Sequence, residues 1–196
     1  MQKKKQPFEI DFYTEAELRQ FGFKSVGNNV RIAKNCIIVG VEYISIGNNV
    51  IIDSFCSIIA SKEGELVLGS YIHIGAFCHI LVSTGVEIKD FAGLSQGVKV
   101  YGKTDDYSGL TLTNPTVPSE FKNVKKGKVV IEEHVIIGAN SVILPNVKIE
   151  IGTAVGALSL VSVNLDSWTI FVGNPLKRMA PRSKKLLDKK SKFLKN

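Results

Sequence analysis

Aliphatic residues recur every six positions from Val26 to about Leu165, each followed by a small or turn-forming residue. The run from Ile137 to Lys148 shows this unit twice in succession. Other hexads open at Val26, Ile32, Ile38, Ile46, Ile52, Ile58, Leu68, Ile74, Ile80, Ile88, Leu94, Val100, Ile131, Ile149, Val155 and Val161. A short, fixed period is typical of a solenoid, in which each repeat packs against its neighbours. The pattern therefore predicts stacked coils along most of the chain.

Three hexads make one triangular coil, so residues about eighteen positions apart should stack, with extra residues bulging at a corner. Two inward columns fit this spacing: Val26, Ile46, Leu68 and Ile88 in one, and Ile32, Ile52, Ile74 and Leu94 in the other. The extra residues fall in the third hexad of each early coil, and the largest insertion separates Val100 from Ile131. We therefore expect an all-β fold, a parallel β-helix of about six triangular coils. It would occupy residues 26–172, with an inserted loop at 101–130.

Helices are predicted at both ends of the coils. Thr14 and Glu17 fit a capping box, so a short helix should run to about Gln20 within an N-terminal cap at 1–25. Solenoids need such caps, because an uncovered end coil exposes its core and its strand edges. In the C-terminal segment 173–196, four apolar residues recur at helical spacing and predict a second helix. These are Leu186, Leu187, Phe193 and Leu194.

The charge of the chain is concentrated in that C-terminal segment. The sequence has 25 basic and 18 acidic residues, a net charge of +7, but residues 176–196 hold nine of the basic residues and one acid. A nucleic-acid-binding surface would spread basic residues over a face, so we expect no nucleic-acid partner. The tail can attract an anionic cofactor, and contact with an anionic membrane is compatible with it but not required.

The sequence predicts a cytoplasmic protein. No apolar run approaches the ~18 residues that span a bilayer, and no apolar segment follows the basic start Met1–Gln6, so a secretory signal is not expected. Cys36, Cys56 and Cys78 occupy the same inward position in successive coils. Their odd number and the lack of CxxC spacing predict buried free thiols instead of disulfides or a cysteine zinc site.

The inserted loop is the first candidate for chemistry, because long loops on rigid scaffolds tend to be functional. Four stretches in and after it carry a resemblance to a known family: Asp105–Gly109, Thr113–Pro118, Val155–Val161 and Gly173–Lys177. They resemble the hexapeptide-repeat acyltransferases, in particular the bacterial sugar O-acetyltransferases. The resemblance covers roughly residues 26–182. It implies a left-handed coil, a homotrimer with active sites between subunits, and acetyl-CoA as the acyl donor, with no metal required.

The catalytic base is not given directly by this resemblance. In galactoside acetyltransferases the corresponding loop carries a catalytic histidine, and counting coils puts Asp105 in its place here. Histidine is the natural base at neutral pH, and His73 and His79 should both point outward from the third coil. Asp105 or Asp106 could orient either imidazole, from the same subunit or from a neighbour. His134 falls at a turn and is interpreted as structural.

The resemblance also implies where coenzyme A binds. The family places the pantetheine arm in the groove between subunits, against small residues of the last coils, and an aromatic side chain could cover the adenine or the arm. The positions that would line this site are Ala139, Ala157, Ser159, Ser162 and Trp168. The positions that suit the coenzyme A phosphates are Lys177, Arg178 and Arg182. Charge-assisted hydrogen bonds to phosphate are of the strong kind.

Several functions fit these observations. The first expectation is an acetyl-CoA-dependent O-acetyltransferase that acts on a sugar hydroxyl in cell-surface polysaccharide biosynthesis. The alternative is an N-acetyltransferase of a nucleotide-linked amino sugar, since an amine attacks with less help from a base. A third is a trimeric zinc carbonic anhydrase with three histidines shared between subunits, and a fourth is a non-catalytic scaffold. The long loop argues against both of these.

Overall fold

The computed structural model describes residues 9–195. Residues 1–8 and Asn196 lie outside the described residues, and with them the start of the cap predicted at 1–25 and the last residue of the segment 173–196. The described chain is a parallel β-helix of about seven turns, built from three sheets that form the faces of a triangular prism. The predicted all-β architecture is confirmed.

The three faces are each built from short, stacked strands. The first sheet contains β1 (Ser25–Val26), β4 (Ile44–Ile46), β7 (Leu66–Leu68), β10 (Val86–Ile88), β15 (Val129–Ile131) and β18 (Lys148–Ile149). The second contains β2 (Val30–Ile32), β5 (Val50–Ile52), β8 (Ile72–Ile74), β11 (Gly93–Leu94), β16 (Ile136–Ile137), β19 (Ala154–Val155), β21 (Thr169–Val172) and β22 (Lys177–Pro181). The third contains β3 (Ile37–Val39), β6 (Ser57–Ile59), β9 (His79–Leu81), β12 (Lys99–Tyr101), β17 (Val142–Ile143) and β20 (Leu160–Val161).

Strand register confirms the two predicted inward columns. Val26 pairs with Ile46, which pairs with Leu68, and the same alignment continues to Ile88. Residues at alternate positions point into the prism, where their side chains are buried, because successive strand residues face opposite sides of a sheet. The aliphatic repeat is thus the core of the protein, and the residues between are free to carry chemistry.

A further turn follows the six coils that the sequence predicted. Leu165 bridges to Ile149, and Phe171 pairs with Val155, so both continue inward columns. They are only 2% and 9% exposed. The strand β22 then pairs antiparallel with β21 and ends the second sheet. The hexapeptide pattern does not predict this turn, because Leu165 and Phe171 are followed by larger residues than the small or turn-forming ones typical of the repeat.

The N-terminal cap forms as the capping box predicted. Helix α1 (Glu15–Gln20) begins after Thr14, whose hydroxyl accepts the Glu17 N–H while the Glu17 carboxylate accepts the Thr14 N–H. Leu18 is buried against the first coil, whereas Phe21 stays exposed and packs edge-on against Tyr13. The cap therefore covers the end of the core with the buried Leu18 and with the partly buried Tyr13 and Phe23.

The corner between the first and second sheets carries a column of residues in the left-handed backbone conformation. Its members are Asn29, Asn49, Tyr71, Phe91 and His134, with φ values between 54° and 60°. Asparagine tolerates this conformation, but aromatic residues adopt it only where the structure offsets the strain. Here the rings stack, with centroids 4.7 Å apart for Tyr71 and Phe91 and 5.1 Å apart for Phe91 and His134. We call this set the first-corner column.

The third corner, between the third and first sheets, takes all the large insertions. The longest leaves after β12 and is held at its base by β13 (Lys103–Thr104) and β14 (Lys125–Lys126), which pair antiparallel. One turn of 3-10 helix (Ser119–Phe121) lies within it, and another (Val41–Tyr43) lies at the same corner three coils earlier. The loop is therefore an ordered arm, with Tyr107 and Leu110 almost fully exposed.

Helix α2 (Leu186–Phe193) folds back from β22 onto the first-corner column. The ring of Phe193 meets Tyr71 and Phe91 edge-on, at centroid distances of 5.2 and 6.4 Å. The predicted C-terminal helix thus exists, and of the four apolar residues that suggested it Phe193 contacts these rings while Leu186 and Leu187 are half-buried. Within residues 9–195, no helix is both long enough and apolar enough to cross a membrane.

Candidate functional site

The outward histidine of β8 is paired with a carboxylate. Nε2 of His73 lies 2.8 Å from Oδ2 of Asp53, and about half of the His73 side chain is exposed. The pair is set by strand register: His73 aligns with Ile51, and Asp53 lies two residues further along on the same outward side. An ionised carboxylate can only accept a hydrogen bond. In the neutral imidazole the proton therefore lies on Nε2, and Nδ1 is left as the proton acceptor.

The second outward histidine has a different environment. His79 aligns with Lys99 on the next strand, as the repeat predicted, and its ring lies 5.6 Å from that of Tyr101. Partial burial, followed by the charge of Lys99, lowers the pKa of His79. Its ring makes no hydrogen bond with any residue in the described part of the chain. His79 thus lies at the root of the long loop but lacks the carboxylate partner that His73 has.

The two loop aspartates hold the arm in shape. Asp106 is 5% exposed and accepts the N–H and hydroxyl of Ser108 at 3.0 and 2.7 Å, which lowers the pKa of its carboxyl. Asp105 accepts the more distant N–H of Asn114 at 3.4 Å. Within one chain neither aspartate reaches His73 or His79. Within one chain the carboxylate that pairs with His73 is Asp53, and a loop aspartate supplied by a neighbouring subunit stays a prediction.

The third histidine occupies a turn, as expected. His134 is 6% exposed, has a φ of 60° and stacks on Phe91. Burial, together with the nearby charge of Lys190, lowers its pKa. Among residues 9–195 no three His, Cys, Asp or Glu side chains come together as a metal site would require.

Three of the predicted coenzyme A positions, Ala139, Ala157 and Ser159, lie along the second corner, between the second and third sheets. Ala139 and Ala157 occupy equivalent corner positions one turn apart and are half-buried and exposed, respectively. The turns stack closely there: a Cβ on Gly138 would lie 2.4 Å from the backbone nitrogen of Ala157. Small residues at this corner thus leave the backbone open to a ligand.

The two predicted serines differ in what they can do. Ser159 is 2% exposed, and its hydroxyl donates to the Gly156 carbonyl at 2.6 Å and accepts the Gly173 N–H at 2.8 Å. Its backbone is paired as well, because the Ser159 N–H donates to the Ser141 hydroxyl at 3.2 Å and the Ser159 carbonyl accepts the Val142 N–H at 2.9 Å, so Ser159 serves to hold the corner together. Ser162 is exposed at the next corner.

Trp168 closes the end of the prism. A Cβ on Gly152 would lie 2.5 Å from the indole ring, so the tryptophan packs directly on that glycine. The Lys184 ammonium lies 5.6 Å from the ring centre. This contact supports a packing role, and the half-buried ring keeps one part open to solvent.

The three basic residues predicted to bind phosphate divide into two groups. Lys177 and Arg178 lie on the exposed strand β22. Arg182 is half-buried, and its Nη1 donates to the carbonyls of His134, Gly152 and Thr153 at 2.7 to 3.2 Å. One nitrogen of Arg182 therefore fastens the C-terminal segment to the prism.

The free thiols lie at inward positions, as the sequence predicted. Cys56 and Cys78 are buried and Cys36 is half-buried, and each Sγ donates to a backbone carbonyl of the adjacent coil. Asp53 is the functional candidate that sequence reasoning missed. Asp53 could have been found only from its position, two residues after Ile51, the residue that aligns with His73. Using that position requires knowing the register of the second sheet.

Coils of six-residue repeats with an ordered arm at one corner define a hexapeptide-repeat acyltransferase. No protein-family model matches the chain. The chain is, however, 43% identical to the dTDP-4-amino-4,6-dideoxy-D-glucose acyltransferase of Escherichia coli, over 93% of this chain and 94% of that protein. It belongs to this family of sugar acyltransferases.

Solved structures agree with that assignment. AntD, an N-acyltransferase from Bacillus cereus in complex with dTDP and 3-hydroxybutyryl-CoA, is 46% identical, with a TM-score of 0.91 over 95% of this chain and 98% of that one. The maltose O-acetyltransferase from Clostridium difficile 630 is 21% identical, with a TM-score of 0.54 over 87% and 75% of the two chains. The second likeness shows the shared fold alone. The left-handed β-helix implied by the sequence resemblance is supported by these relatives.

Proposed function

We propose that this protein transfers an acyl group from acyl-coenzyme A to the amino group of a dTDP-linked amino sugar. The observation that carries the proposal is the 43 to 46% identity, over more than nine tenths of the chain, to two proteins described as acyltransferases of such compounds or bound to dTDP. Our first expectation, acetylation of a sugar hydroxyl, has weaker support, and the N-acyl alternative fits better. We place the reaction in the cytoplasm, on an activated sugar destined for a surface polysaccharide.

The pair formed by His73 and Asp53 suits this chemistry. A neutral amine attacks a thioester without prior deprotonation, so the base has only to accept the proton released as the amide forms and the thiolate departs. With Nε2 held by Asp53 at 2.8 Å, Nδ1 of His73 can take that proton, and the carboxylate stabilises the resulting imidazolium. His73 is exposed enough to meet an acceptor.

The donor would lie along the second corner. Ala139 and Ala157 allow the pantetheine arm close to the backbone there, and Lys177 and Arg178 offer exposed cations near the last turn for its phosphates. This arrangement brings the thioester toward the earlier coils, where His73 lies. The donor residues are those inferred from the family resemblance, and the exposure of Ala157 and of the β22 cations supports them.

We further propose a homotrimer, because the faces of the prism differ in character. The outward side of the first sheet is covered by ion pairs such as Lys128 with Glu87 at 2.6 Å and Lys89 with Glu132 at 2.9 Å. Apolar side chains instead protrude from the third sheet and the second corner. These are Ile37, Val39, Phe55, Phe77 and Leu158, each more than half exposed. Packing against other copies would cover them and bring a neighbour's arm toward the site.

An acceptor panel tests the proposed function. Purified protein would be mixed with acetyl-CoA and either dTDP-4-amino-4,6-dideoxy-D-glucose or dTDP-glucose, which has a hydroxyl at the same carbon, and thiol release would be followed. We expect rapid release with the amino sugar and release at the background hydrolysis rate with dTDP-glucose. Equal rates with both acceptors would overturn the proposal.

A further inference from the structure

Helix α2 presents most of its lysines on the side turned away from the prism. Leu186, Leu187 and Lys190 are half-buried, whereas four lysines in or beside the helix are exposed. These are Lys185, Lys189, Lys192 and Lys195, and we call them the α2 basic face. A helix turns by about 100° per residue, so the first three of them project within an arc of about 60°.

The lysines of the α2 basic face have no carboxylate partner, unlike many lysines of the prism. On the prism, Lys89, Lys126, Lys128 and Lys148 each lie within 2.9 Å of a glutamate oxygen. Within residues 9–195 no lysine of the α2 basic face forms an ion pair. The only acidic residue of the helix is Asp188, so the outer side of α2 has a net charge of +3 that no other part of the described chain offsets by contact.

Contacts with the prism hold α2 in place. The inward-facing Lys190 is paired with Glu133 at 3.0 Å, and its ammonium lies 4.8 Å from the centre of the Phe91 ring. Phe193 packs on the same ring, and just before the helix Nη1 of Arg182 donates to three backbone carbonyls. The outer lysines are therefore presented together, and little backbone freedom is lost when a partner binds them.

We infer that the α2 basic face docks on an anionic lipid surface, the cytoplasmic leaflet of a membrane. A cluster of about four to eight basic residues on an amphipathic helix is typical of proteins that bind anionic headgroups, and each lysine near such a surface strengthens binding about fivefold. Leu194, at the end of the helix, is 54% exposed and can enter the headgroup region. The inference goes beyond the proposed function and does not depend on it.

The composition of this helix favours lipid headgroups over a nucleic acid. Proteins that bind single-stranded nucleic acids combine basic residues with free aromatic rings on which bases stack. The one aromatic residue of α2 is Phe193, and its ring is already packed against Tyr71 and Phe91. An anionic bilayer requires only a cluster of positive charge held near a plane, which the α2 basic face provides.

Sedimentation of the intact protein with lipid vesicles tests the inference. One set of vesicles is an equal mixture of phosphatidylglycerol and phosphatidylcholine, and the other is phosphatidylcholine alone. We expect the protein to bind the first set and to stay in the supernatant with the second. Raising the salt concentration shortens the screening length from about 10 Å at 0.1 M to about 3 Å at 1 M, so binding should be lost at the higher concentration.

Two triple variants separate the α2 basic face from the total charge of the chain. Changing Lys185, Lys189 and Lys192 to Gln should weaken vesicle binding about a hundredfold, since three contributions of about fivefold multiply. The matched control changes three ion-paired lysines of the prism to Gln, and it removes the same charge. These are Lys24, Lys126 and Lys128. The control should bind vesicles like the wild-type protein, and melting curves of both variants confirm that the fold is retained.

Several outcomes would overturn the inference. The first is a wild-type protein that does not bind the anionic vesicles, and the second is an equal loss of binding in both triple variants. Tighter binding to polyuridylic acid than to the vesicles would assign the face to a nucleic acid. Displacement from the vesicles by coenzyme A, with a raised coenzyme A Kd in the α2 variant, would assign the lysines to the donor. None of these results bears on the proposed function, because acylation of the amino sugar is measured without vesicles.

Discussion

A single contact separates two histidines that the sequence makes equivalent. His73 is hydrogen-bonded to Asp53, whereas partial burial, and then the charge of Lys99, lowers the pKa of His79 and disfavours its protonated form. We expect His73→Ala to lower kcat on the order of a hundredfold, the lower end of what a general base contributes, because an amine needs less assistance. His79→Ala should change kcat only a few-fold. Steady-state kinetics with the amino sugar checks this, and a larger loss at His79 would contradict the assignment of the base.

The buried histidine of the first-corner column predicts a pH dependence of stability. Burial, and then the charge of Lys190, lowers the pKa of His134 below its ordinary value of 6.5. Between the lowered pKa of the folded protein and the ordinary pKa of the unfolded chain, the unfolded chain binds the proton more readily. The contribution of His134 to the free energy of unfolding is therefore fully present above pH 6.5 and is lost as the pH falls. His134→Asn removes this titration and keeps a residue that tolerates the turn. From pH 7.5 to 5, the wild-type Tm should fall further than that of the variant; parallel curves would contradict the account.

At the residue scale, sequence reasoning found side-chain direction but not partners. The period of the strands placed His73 and His79 outward and the three cysteines inward, and the structure confirms both. Asp53 escaped notice because it lies twenty positions before His73 and meets it only through sheet register. The loop aspartates were predicted instead because they lie on the long insertion, where Asp105 takes the place of the family's histidine, yet Asp106 is hydrogen-bonded within its own turn.

At the scale of elements, the close stacking of corner turns makes some glycines irreplaceable. Gly152 has a φ of +69°, and an added Cβ would lie 2.5 Å from the Trp168 ring. We expect Gly152→Ala to lower the free energy of unfolding by roughly 2–5 kcal/mol, from backbone strain and overpacking together. Gly109→Ala is the matched control, since Gly109 has a φ of +79° but no atom within 4 Å of its Cβ position. It should cost about 1 kcal/mol, and equal losses in urea unfolding would refute the packing argument.

The elements themselves were predictable to the extent that they repeat. Strand positions, the corner that takes insertions, the capping box at Thr14 and the existence of a C-terminal helix all follow from period and local chemistry. The seventh turn was missed because Leu165 and Phe171 keep the inward column while departing from the small-residue pattern. The packing of α2 against Tyr71 and Phe91 could not be predicted from the sequence. These two rings come together only when successive corners of the prism stack.

At the scale of the whole molecule, the unequal faces predict how copies associate. Phe77 stacks on Phe55 with a ring-centroid distance of 5.1 Å, and more than half of each is exposed. Light scattering should give a wild-type mass of about three times the chain mass of 21.4 kDa. Phe77→Glu should shift it toward the monomer, because a charge cannot be buried cheaply between apolar surfaces. Val67→Glu on the charged first sheet is the control and should remain trimeric; a monomeric wild-type protein would contradict the proposed assembly.

The identity of the acceptor is the property least visible in the sequence. The fold is shared with a maltose O-acetyltransferase as well as with an N-acyltransferase, so the repeat and the loop led first to O-acetylation. Whether an enzyme acylates a hydroxyl or an amine depends on where its base lies relative to the bound acceptor. The sequence does not show the position of that acceptor. Asp105 at the place of the loop histidine was the one sequence feature consistent with an amine acceptor.

The chemical linkage formed on an acceptor that carries both nucleophiles tests the central claim most directly. dTDP-4-amino-4,6-dideoxy-D-glucose has an amine and free hydroxyls, so the protein itself makes the choice. The product formed with acetyl-CoA would be treated with alkaline hydroxylamine, which cleaves esters and leaves amides intact, and analysed by mass spectrometry. The account predicts that the acetyl group remains on the nucleotide sugar. Its quantitative release as acetohydroxamate would show an ester and contradict N-acyl transfer.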